Sequence, residues 1–124
     1  MSQKSSLSVS VVLPVYNEEK IIEASLKKYI DSLSQDFEDY EIIVVDDGSK
    51  DNSLEIISKI ASDNKHIKVL KNLINLNQGI SMQRGFSIAS KDIVMHNGAD
   101  LPFDPTKTKE VIIKHWKNID VLVL

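Results

Sequence analysis

Short apolar runs alternate along the chain with longer segments in which apolar and polar residues are mixed. Two of the runs, residues 9–13 and residues 41–45, are dominated by valine and isoleucine and are bounded by polar turn residues. Such runs are typical of strands that are buried on both faces of a parallel sheet. Three further segments predict strands in the same way: residues 66–70, 92–95 and 120–124. The pattern therefore predicts five strands.

The segments between the first strands have the apolar periodicity of helices. In the first segment, apolar side chains three or four positions apart form one stripe: Ile22, Leu26, Tyr29, Ile30 and Leu33. We expect this helix to be entered through Asn17 and an acidic first turn. The second helix is predicted to follow Asn52, which is spaced from Glu55 as in a capping box. Its apolar face comprises Leu54, Ile57 and Ala61.

Two more helices are predicted in the second half of the chain. A stripe formed by Met82, Phe86 and Ala89 predicts the third helix, and Gly85 within it suggests a close approach to neighbouring backbone. Asp104 can cap the fourth helix, with Pro105 at its first position. The inner face of this helix comprises Val111, Ile112 and His115.

Strands and helices alternate throughout, and no repeat, low-complexity tract or linker interrupts them. This alternation favours helices on both faces of a mostly parallel sheet. At 124 residues the chain has the length of one domain. We therefore expect a single α/β domain over residues 1–124, built as a three-layer α/β/α sandwich.

Composition and charge exclude several classes of function. The chain has 15 basic and 18 acidic residues, a net charge of −3 and no long basic run, so we do not expect a nucleic acid as partner. Cysteine is absent, which excludes disulfides and thiolate metal sites. The longest apolar runs have four residues, far fewer than the ~20 that cross a bilayer. With no secretory signal at the start, we expect a cytoplasmic protein.

Candidate chemistry lies in the loops that follow the predicted strands. In open parallel sheets, ligands bind at the carboxyl ends of the strands. The first such loop, residues 14–19, carries two glutamates, and the second, residues 46–51, carries three aspartates. The loop after the fourth strand, residues 97–102, contributes Asp100. Carboxylates therefore gather at one edge of the predicted sheet.

Four segments occur together in a fixed order. They are residues 12–19 (VLPVYNEE), residues 44–51 (VVDDGSKD), residues 77–89 with their Asn-Gln-Gly start, and residues 98–101 (GADL). Together they are far more specific than any one of them alone. The chain resembles, over nearly its whole length, the nucleotide-binding half of the family 2 glycosyltransferases, which include the polyprenyl- and dolichyl-phosphate sugar synthases. The resemblance implies the Rossmann-like half of the GT-A fold, which binds a nucleotide sugar.

The resemblance also implies residues that contact a UDP- or GDP-linked sugar. Pro14 and Tyr16 would hold the base and the ribose by packing, and Glu18 would accept hydrogen bonds from sugar hydroxyls. Asp47 would accept a hydrogen bond from the imino group of the base, with Val45 beside it.

Each of these residues also has a purely structural interpretation. Pro14 can end a strand, Tyr16 can be a half-buried aromatic residue, and Glu18 favours the start of a helix. The acidic pair at positions 46 and 47 can form an ordinary Asp-Gly turn. Because neighbouring side chains of a strand point to opposite faces, we expect the two aspartates to have different roles. Since the resemblance assigns Asp47 to the base, we expect Asp46 to organise the turn through Gly48 and Ser49.

The loop after the fourth strand contains the candidate metal site. The family carries two aspartates, one residue apart, that hold a divalent cation, Mg²⁺ or Mn²⁺, at the donor's pyrophosphate. A hard cation suits oxygen ligands and neutralises the departing diphosphate. Gly98, Ala99 and Asp100 take these positions, so one carboxylate is missing and Asp100 is the candidate ligand. Asp104 could help, although we expect it to cap a helix. Metal binding should be weak, absent, or dependent on the substrate's phosphates.

The leading hypothesis is a glycosyltransferase domain that transfers a sugar, with inversion, from a nucleoside diphosphate to an acceptor hydroxyl, a saccharide or a polyprenyl phosphate. The family places the catalytic base in the acceptor-binding half, downstream of the position of Leu124. We therefore expect a truncated enzyme that does not transfer sugar by itself. The apolar segment 120–124 suggests self-association, for example as a homodimer. A downstream anchor would place the protein at the membrane face.

Two alternatives remain open at this stage. A nucleotide-sugar-binding module without catalysis would explain both the missing carboxylate and the missing acceptor half. A receiver-like signalling domain has a similar size and alternation of elements, but it carries its acidic pair after the first strand. Here that pair follows the second strand, and His96 stands near the position that the phosphorylated aspartate would take.

Overall fold

The computed structural model describes residues 3–115, which form a parallel sheet flanked by helices. Its strands are β1 (Val9–Val15), β2 (Tyr40–Asp47), β3 (Ile67–Asn72) and β4 (Ile93–His96). The helices are α1 (Ile22–Asp36), α2 (Ser53–Ser62), α3 (Gln78–Ile88) and α4 (Thr108–His115), the last entered through a 3₁₀ turn at Pro105–Lys107. The strand order is β3-β2-β1-β4, and all three pairings are parallel.

The helices form a layer on each face of the sheet. On one face, α1, α2 and α4 pack against inward side chains of β1 and β2 in the main core, which includes Leu13, Leu26, Val44, Ile57 and Ile112. On the other face, α3 covers a smaller cluster of Val12, Ile43 and Val45. Because both faces are covered, the residues of β2 are buried from end to end. The predicted three-layer α/β/α sandwich is confirmed.

The first helix agrees with its apolar pattern. Four residues of the predicted stripe are fully buried, and Ile30 packs against their cluster. The strands predicted near residues 9, 41, 66 and 92 are present with slightly different ends. Asp104 also caps its helix as predicted, because its Oδ1 accepts a hydrogen bond from the amide of Thr106 at 3.0 Å. The predicted strand at 120–124 lies outside the described residues.

The third helix is present, but its predicted apolar stripe is wrong. Phe86 is exposed and Met82 is partly buried, whereas Ser81 and Gly85 form the buried face. A Cβ atom at Gly85 would clash with the side chain of Val12 on β1. The helix therefore lies so close to the sheet that only small residues fit beneath it, as the glycine had suggested.

Both predicted helix entrances also differ in detail. The first helix begins at Ile22 and not at Asn17, because the carbonyl of Glu18 accepts hydrogen bonds from the two amides that start it, at 3.1 and 2.9 Å. The predicted capping box of Asn52 and Glu55 is wrong, since the Asn52 side chain makes no cap hydrogen bond. Asp51 takes that place, and its Oδ1 accepts from the Ser53 amide at 2.9 Å.

Candidate functional site at the carboxyl edge of the sheet

The loops after β1 and β2 are held together by reciprocal hydrogen bonds. The amide of Asn17 donates to Ser49 Oγ at 2.9 Å, and the amide of Lys50 donates to Asn17 Oδ1 at 2.8 Å. The amide of Glu18 donates to Ser53 Oγ at 2.8 Å. Asn17 adopts a φ of 52°, a left-handed conformation that asparagine tolerates better than most residues. The two loops therefore form one rigid rim above β1 and β2.

Asp46 organises the turn after β2, as the sequence predicts. Its Oδ2 accepts a hydrogen bond from the Ser49 amide at 3.2 Å. Between them, Gly48 has a φ of 72°, and a Cβ atom there would lie 2.5 Å from the carbonyl carbon of Ile74. Glycine is needed at this position both for its conformation and for the close approach of the next loop. Asp46 Oδ1 is buried without a hydrogen-bond partner among the described residues.

Asp47 holds the loop that follows β3. Its Oδ1 accepts from the Leu76 amide at 2.7 Å and from Asn72 Nδ2 at 2.8 Å, while its Oδ2 accepts from the Asn77 amide at 3.0 Å. Burial raises the pKa of Asp47, but these hydrogen bonds outweigh it and leave the pKa below its ordinary value. The side chain is therefore an ionised, almost fully buried anchor, with only 4% of the residue exposed.

Polar groups on β3 and α3 complete the surroundings of Asp47. Asn72 Nδ2 also donates to Ser81 Oγ at 3.0 Å, and Arg84 donates to the side-chain oxygen of Asn72 and to the carbonyl of Lys71. Asn77 has a φ of 104° and caps α3 by accepting from the Ile80 amide at 3.0 Å. Arg84 is thus tied to the end of β3, where it supports the network around the carboxylate.

The loop after β4 is folded around Asn97. Asn97 Nδ2 donates to Tyr29 Oη on α1 at 2.7 Å and to the carbonyl of Phe103 at 2.8 Å. Its Oδ1 accepts from the amides of Gly98 and Phe103, at 3.0 and 3.3 Å. The side chain of Ser25, also on α1, donates to the carbonyl of Ala99. Two residues of α1, one helical turn apart, therefore hold this loop against the core.

Asp100 is the exposed carboxylate of this loop. The next residue, Leu101, has a φ of 55°, and its amide donates to the Gly98 carbonyl at 3.0 Å. A Cβ atom at Gly98 would lie 2.6 Å from Asp100 Oδ1. The Asp100 carboxylate therefore lies in the space that a side chain at position 98 would need.

A divalent cation fits this loop only as a partial site. Within residues 3–115 no group of three or more histidine or carboxylate side chains is close enough together to hold a metal ion. One exposed carboxylate is suitable chemistry for Mg²⁺ or Mn²⁺, but these ions take at least six ligands, commonly from substrate phosphates and water. The residues present fit a cation whose other ligands come from a bound diphosphate.

The structure brings the predicted site residues to one edge but leaves some of them inaccessible. Tyr16 is 42% exposed, and Pro14, Glu18 and Gly98 are partly buried. Val45 has no exposed surface because it packs beneath α3, so its assignment as a nucleotide contact is not supported in this conformation. Ala99 is 4% exposed, and its carbonyl is already bonded to Ser25.

Sequence reasoning missed the residues that support these loops. Asn97 and Tyr29 are 68 positions apart, and Tyr29 was expected only as part of an apolar stripe. A signal was available, since Asn97 is an uncharged polar residue directly after a strand, where a buried amide needs partners. Asn72 carried a similar signal at the end of β3. None of the described helices is long and apolar enough to span a membrane.

Comparison with known proteins agrees with this architecture. A profile described as Glycosyl transferase family 2 matches residues 10–124. An undecaprenyl-phosphate 4-deoxy-4-formamido-L-arabinose transferase of Proteus mirabilis is 37% identical over 116 residues, which are 92% of this chain and 35% of that protein. The protein of the same name from Pectobacterium carotovorum is 35% identical over 116 residues, 93% of this chain and 36% of its own. The chain thus spans about a third of the length of these relatives.

Solved structures show the same fold. A mannosyltransferase of Pyrobaculum calidifontis, solved with GDP-Man and Mn²⁺, has a TM-score of 0.74 at 20% identity, over 95% of this chain and 34% of its own. Glucosyl-3-phosphoglycerate synthase of Mycobacterium tuberculosis, solved with Mn²⁺, UDP-Glc and phosphoglyceric acid, has a TM-score of 0.55 at 30% identity, over 75% and 33%. With the family profile matched over most of its length, the chain belongs to glycosyl transferase family 2.

Proposed function

We propose that this chain is the donor-binding part of a glycosyltransferase that transfers a sugar from a nucleoside diphosphate to a polyprenyl phosphate. The observation that carries the proposal is the arrangement of three loops at one sheet edge. Because β1 lies between β2 and β4, the loop with Tyr16 stands between the turn after β2 and the loop with Asp100. A nucleotide crossing this edge would place its base at one end and its diphosphate near Asp100.

The donor side has the strongest support. The mycobacterial structure of 30% identity was solved with UDP-Glc and Mn²⁺, which supports a nucleotide-sugar donor and a divalent cation here. Pro14 and Tyr16 would pack on the nucleoside, and Glu18 would accept from sugar hydroxyls. Asp47 would contact the base only if the segment containing Leu76 moved off its carboxylate. Asp100 would hold the cation, which when bound would neutralise charge on the leaving diphosphate.

The acceptor is inferred from the relatives. Those of Proteus and Pectobacterium are named as acting on undecaprenyl phosphate, at 37% and 35% identity. In such a reaction a phosphate oxygen attacks the anomeric carbon, and the bond from that carbon to the diphosphate breaks with its electron pair leaving on the diphosphate. A phosphate monoester has its second pKa near 6, so its oxygen is already ionised at neutral pH. This acceptor would need far less help from a base than a hydroxyl would.

Several parts of the reaction lie outside these residues under the proposal. The chain spans about a third of the relatives' length, so we place the acceptor pocket and any base in a part of the enzyme that corresponds to the unmatched two thirds of these relatives. A polyprenyl acceptor would put the active site at the membrane surface, on the cytoplasmic side. Self-association as a homodimer remains a prediction.

A non-catalytic nucleotide-sugar-binding module is the second candidate. Gly98 favours it, because this position leaves a single carboxylate where a metal-dependent transferase is expected to have two. The two candidates differ in turnover and not in binding, so both properties must be measured on the same protein.

Sugar transfer tests the proposal directly. The full-length protein that contains these residues is incubated with UDP- or GDP-sugars, Mn²⁺ and undecaprenyl phosphate, and the lipid product is followed by mass spectrometry. We expect a sugar-phosphate lipid and a free nucleoside diphosphate, with loss of most activity in Asp100→Asn. Asp31→Asn, which changes an exposed carboxylate on α1, is the matched control. Nucleotide binding without any transfer would favour the binding module. The proposal would be refuted if the protein showed no nucleotide binding and no transfer.

A further inference from the structure

The loop that carries Asp100 is strained, and one buried side chain makes four of the hydrogen bonds that hold it. Leu101 is a branched residue in the left-handed region, with a φ of 55°. Such a conformation is unfavourable for a residue with a Cβ atom and persists only where the surroundings enforce it. Ser25 supplies one enforcing contact, through the carbonyl of Ala99. The others come from Asn97, which is 4% exposed and uses both ends of its amide.

The orientation of the Asn97 amide is unambiguous. Its Oδ1 accepts from the Phe103 amide while its Nδ2 donates to the Phe103 carbonyl, so the reverse orientation would oppose like groups. Asn97 therefore closes the loop by joining position 97 to position 103. Its contact from Nδ2 to Tyr29 Oη connects the closed loop to the middle of α1.

Within residues 3–115, the Tyr29 hydroxyl hydrogen-bonds only to Asn97. The residue is fully buried, and burial raises its pKa to about 12, so the hydroxyl stays protonated. A phenylalanine would fill the same space in the core and would lack only the contact with Asn97. Sequence pattern alone explains an aromatic residue here but not a hydroxyl.

We propose that Asn97, anchored by Tyr29, is a positioning residue that holds the Asp100 carboxylate where a divalent cation and a diphosphate can share it. The inference rests on the proposed function and adds two residues to it. Because Asp100 is the one carboxylate of this loop, its placement carries more of the cation affinity than in a site with several carboxylates. Loss of a group that orients a metal ligand typically weakens metal binding by 10–100-fold.

The test uses Tyr29→Phe, because Asn97→Ala leaves several buried groups unpaired and risks unfolding. Tyr40→Phe is the matched control: Tyr40 is also buried, but it lies at the opposite end of the sheet and stacks on His66. Two quantities are measured on the purified chain. The first is the Mn²⁺ concentration that broadens the Asp100 amide signal in ¹⁵N NMR spectra. The second is the affinity for UDP with and without Mn²⁺.

We expect Tyr29→Phe to raise the required Mn²⁺ concentration roughly tenfold and to weaken UDP binding only when Mn²⁺ is present. Tyr40→Phe should change neither quantity. A purely structural role would weaken UDP binding equally with and without the metal. If the two variants behave alike, or if Mn²⁺ never broadens the Asp100 signal, the positioning role is wrong. If UDP does not bind but the Mn²⁺ effect follows Tyr29→Phe, the positioning role stands and the proposed function fails.

Discussion

Asp47 Oδ1 accepts a hydrogen bond from the amide of Leu76 at 2.7 Å, which joins the end of β2 to a segment 29 residues further along the chain. The acidic pair therefore has two structural tasks. Asp46 shapes its own turn by accepting from the Ser49 amide, whereas Asp47 holds the loop after β3 through both carboxylate oxygens.

Replacement of Asp47 should destabilise the fold more than replacement of Asp46. Asp47→Asn removes the charge and replaces one of the two accepting oxygens, so one charge-assisted hydrogen bond to an amide, worth about 1.5–3 kcal/mol, is lost. We expect the free energy of unfolding to fall by about 2–3 kcal/mol in Asp47→Asn and by about 1 kcal/mol in Asp46→Asn. Urea denaturation measures both. Equal losses, or a larger one in Asp46→Asn, would contradict the anchor role.

Hydrogen exchange in the unsubstituted chain tests whether Asp47 also takes part in nucleotide binding. If Asp47 contacts the base after Leu76 moves away, UDP should slow amide exchange less at residues 76 and 77 than in the turn after β2. Hydrogen exchange with and without UDP measures this difference, with residues 49–53 as the internal reference. Stronger protection at 76 and 77 in the complex would mean that the loop stays on Asp47 and that the base binds elsewhere.

Glu41 makes stability depend on pH at the opposite edge of the sheet. It is 3% exposed and accepts from Ser10 Oγ at 2.6 Å and from the Ser90 amide at 2.7 Å, with Lys68 Nζ 2.7 Å away. Burial raises the pKa of Glu41, but the hydrogen bonds from these partners have the larger effect and lower the pKa from 4.5 to about 2. A carboxyl whose pKa is lower in the folded state stabilises the fold at pH values above its pKa in the unfolded state. This contribution is lost as the pH falls through the pKa of the folded state.

The wild-type chain should therefore lose stability between about pH 4.5 and pH 2, in the window set by this carboxyl. Glu41→Gln should be less stable at neutral pH and should show a smaller loss over the same window. Urea denaturation at a series of pH values measures both effects. Glu38→Gln, which changes a nearby exposed carboxyl, should follow the wild-type curve, and an unchanged slope in Glu41→Gln would contradict this account.

Position 98 reports on the lone carboxylate of the candidate metal site. A Cβ atom there would meet Asp100 Oδ1 at 2.6 Å, so Gly98→Ala must displace that carboxylate and should weaken Mn²⁺ binding in the presence of UDP. Gly98→Asp causes the same displacement but adds a second carboxylate, and we expect tighter Mn²⁺ binding than in Gly98→Ala and in wild type. Calorimetry compares the three. Tighter binding by Gly98→Ala than by wild type would show that Asp100 is not a ligand.

Gly85 should be sensitive to substitution because α3 lies so close to the sheet. Gly85→Ala brings a Cβ atom into Val12 and should cost about 1–3 kcal/mol. Combining it with Val12→Ala should recover part of that loss. Gly79→Ala in the same helix is the control, because its Cβ would meet only Asn77 Oδ1 at 3.4 Å and alanine favours helices. A neutral Gly85→Ala would contradict the close packing.

Apolar periodicity predicts what depends on burial alone. The stripe of α1 and the β-branched runs of β1 and β2 are predicted correctly because their neighbours are large and apolar. The stripe of α3 fails because its inner face is set by distance to the sheet, and a close helix buries serine and glycine in place of Phe86. A period cannot reveal that distance, although Gly85 hints at it.

The candidate site is predictable only in part for a similar reason. Loops after parallel strands must meet at one edge, so the gathering of Tyr16, Asp47 and Asp100 follows from the order of elements. The contacts between distant segments do not follow, and neither Asn97 with Tyr29 nor Asp47 with Leu76 has a local pattern. Burial of Val45 likewise depends on where α3 crosses the strand.

The central claim is that this edge binds a nucleoside diphosphate with a cation at Asp100, and one titration tests it most directly. UDP and GDP are titrated by calorimetry into the folded 124-residue chain, with and without Mn²⁺, in wild type and in Asp100→Asn. The account predicts that at least one nucleotide binds, that Mn²⁺ tightens its binding, and that Asp100→Asn removes the tightening but not the binding. No heat with either nucleotide, or an Mn²⁺ effect that survives in Asp100→Asn, would contradict it.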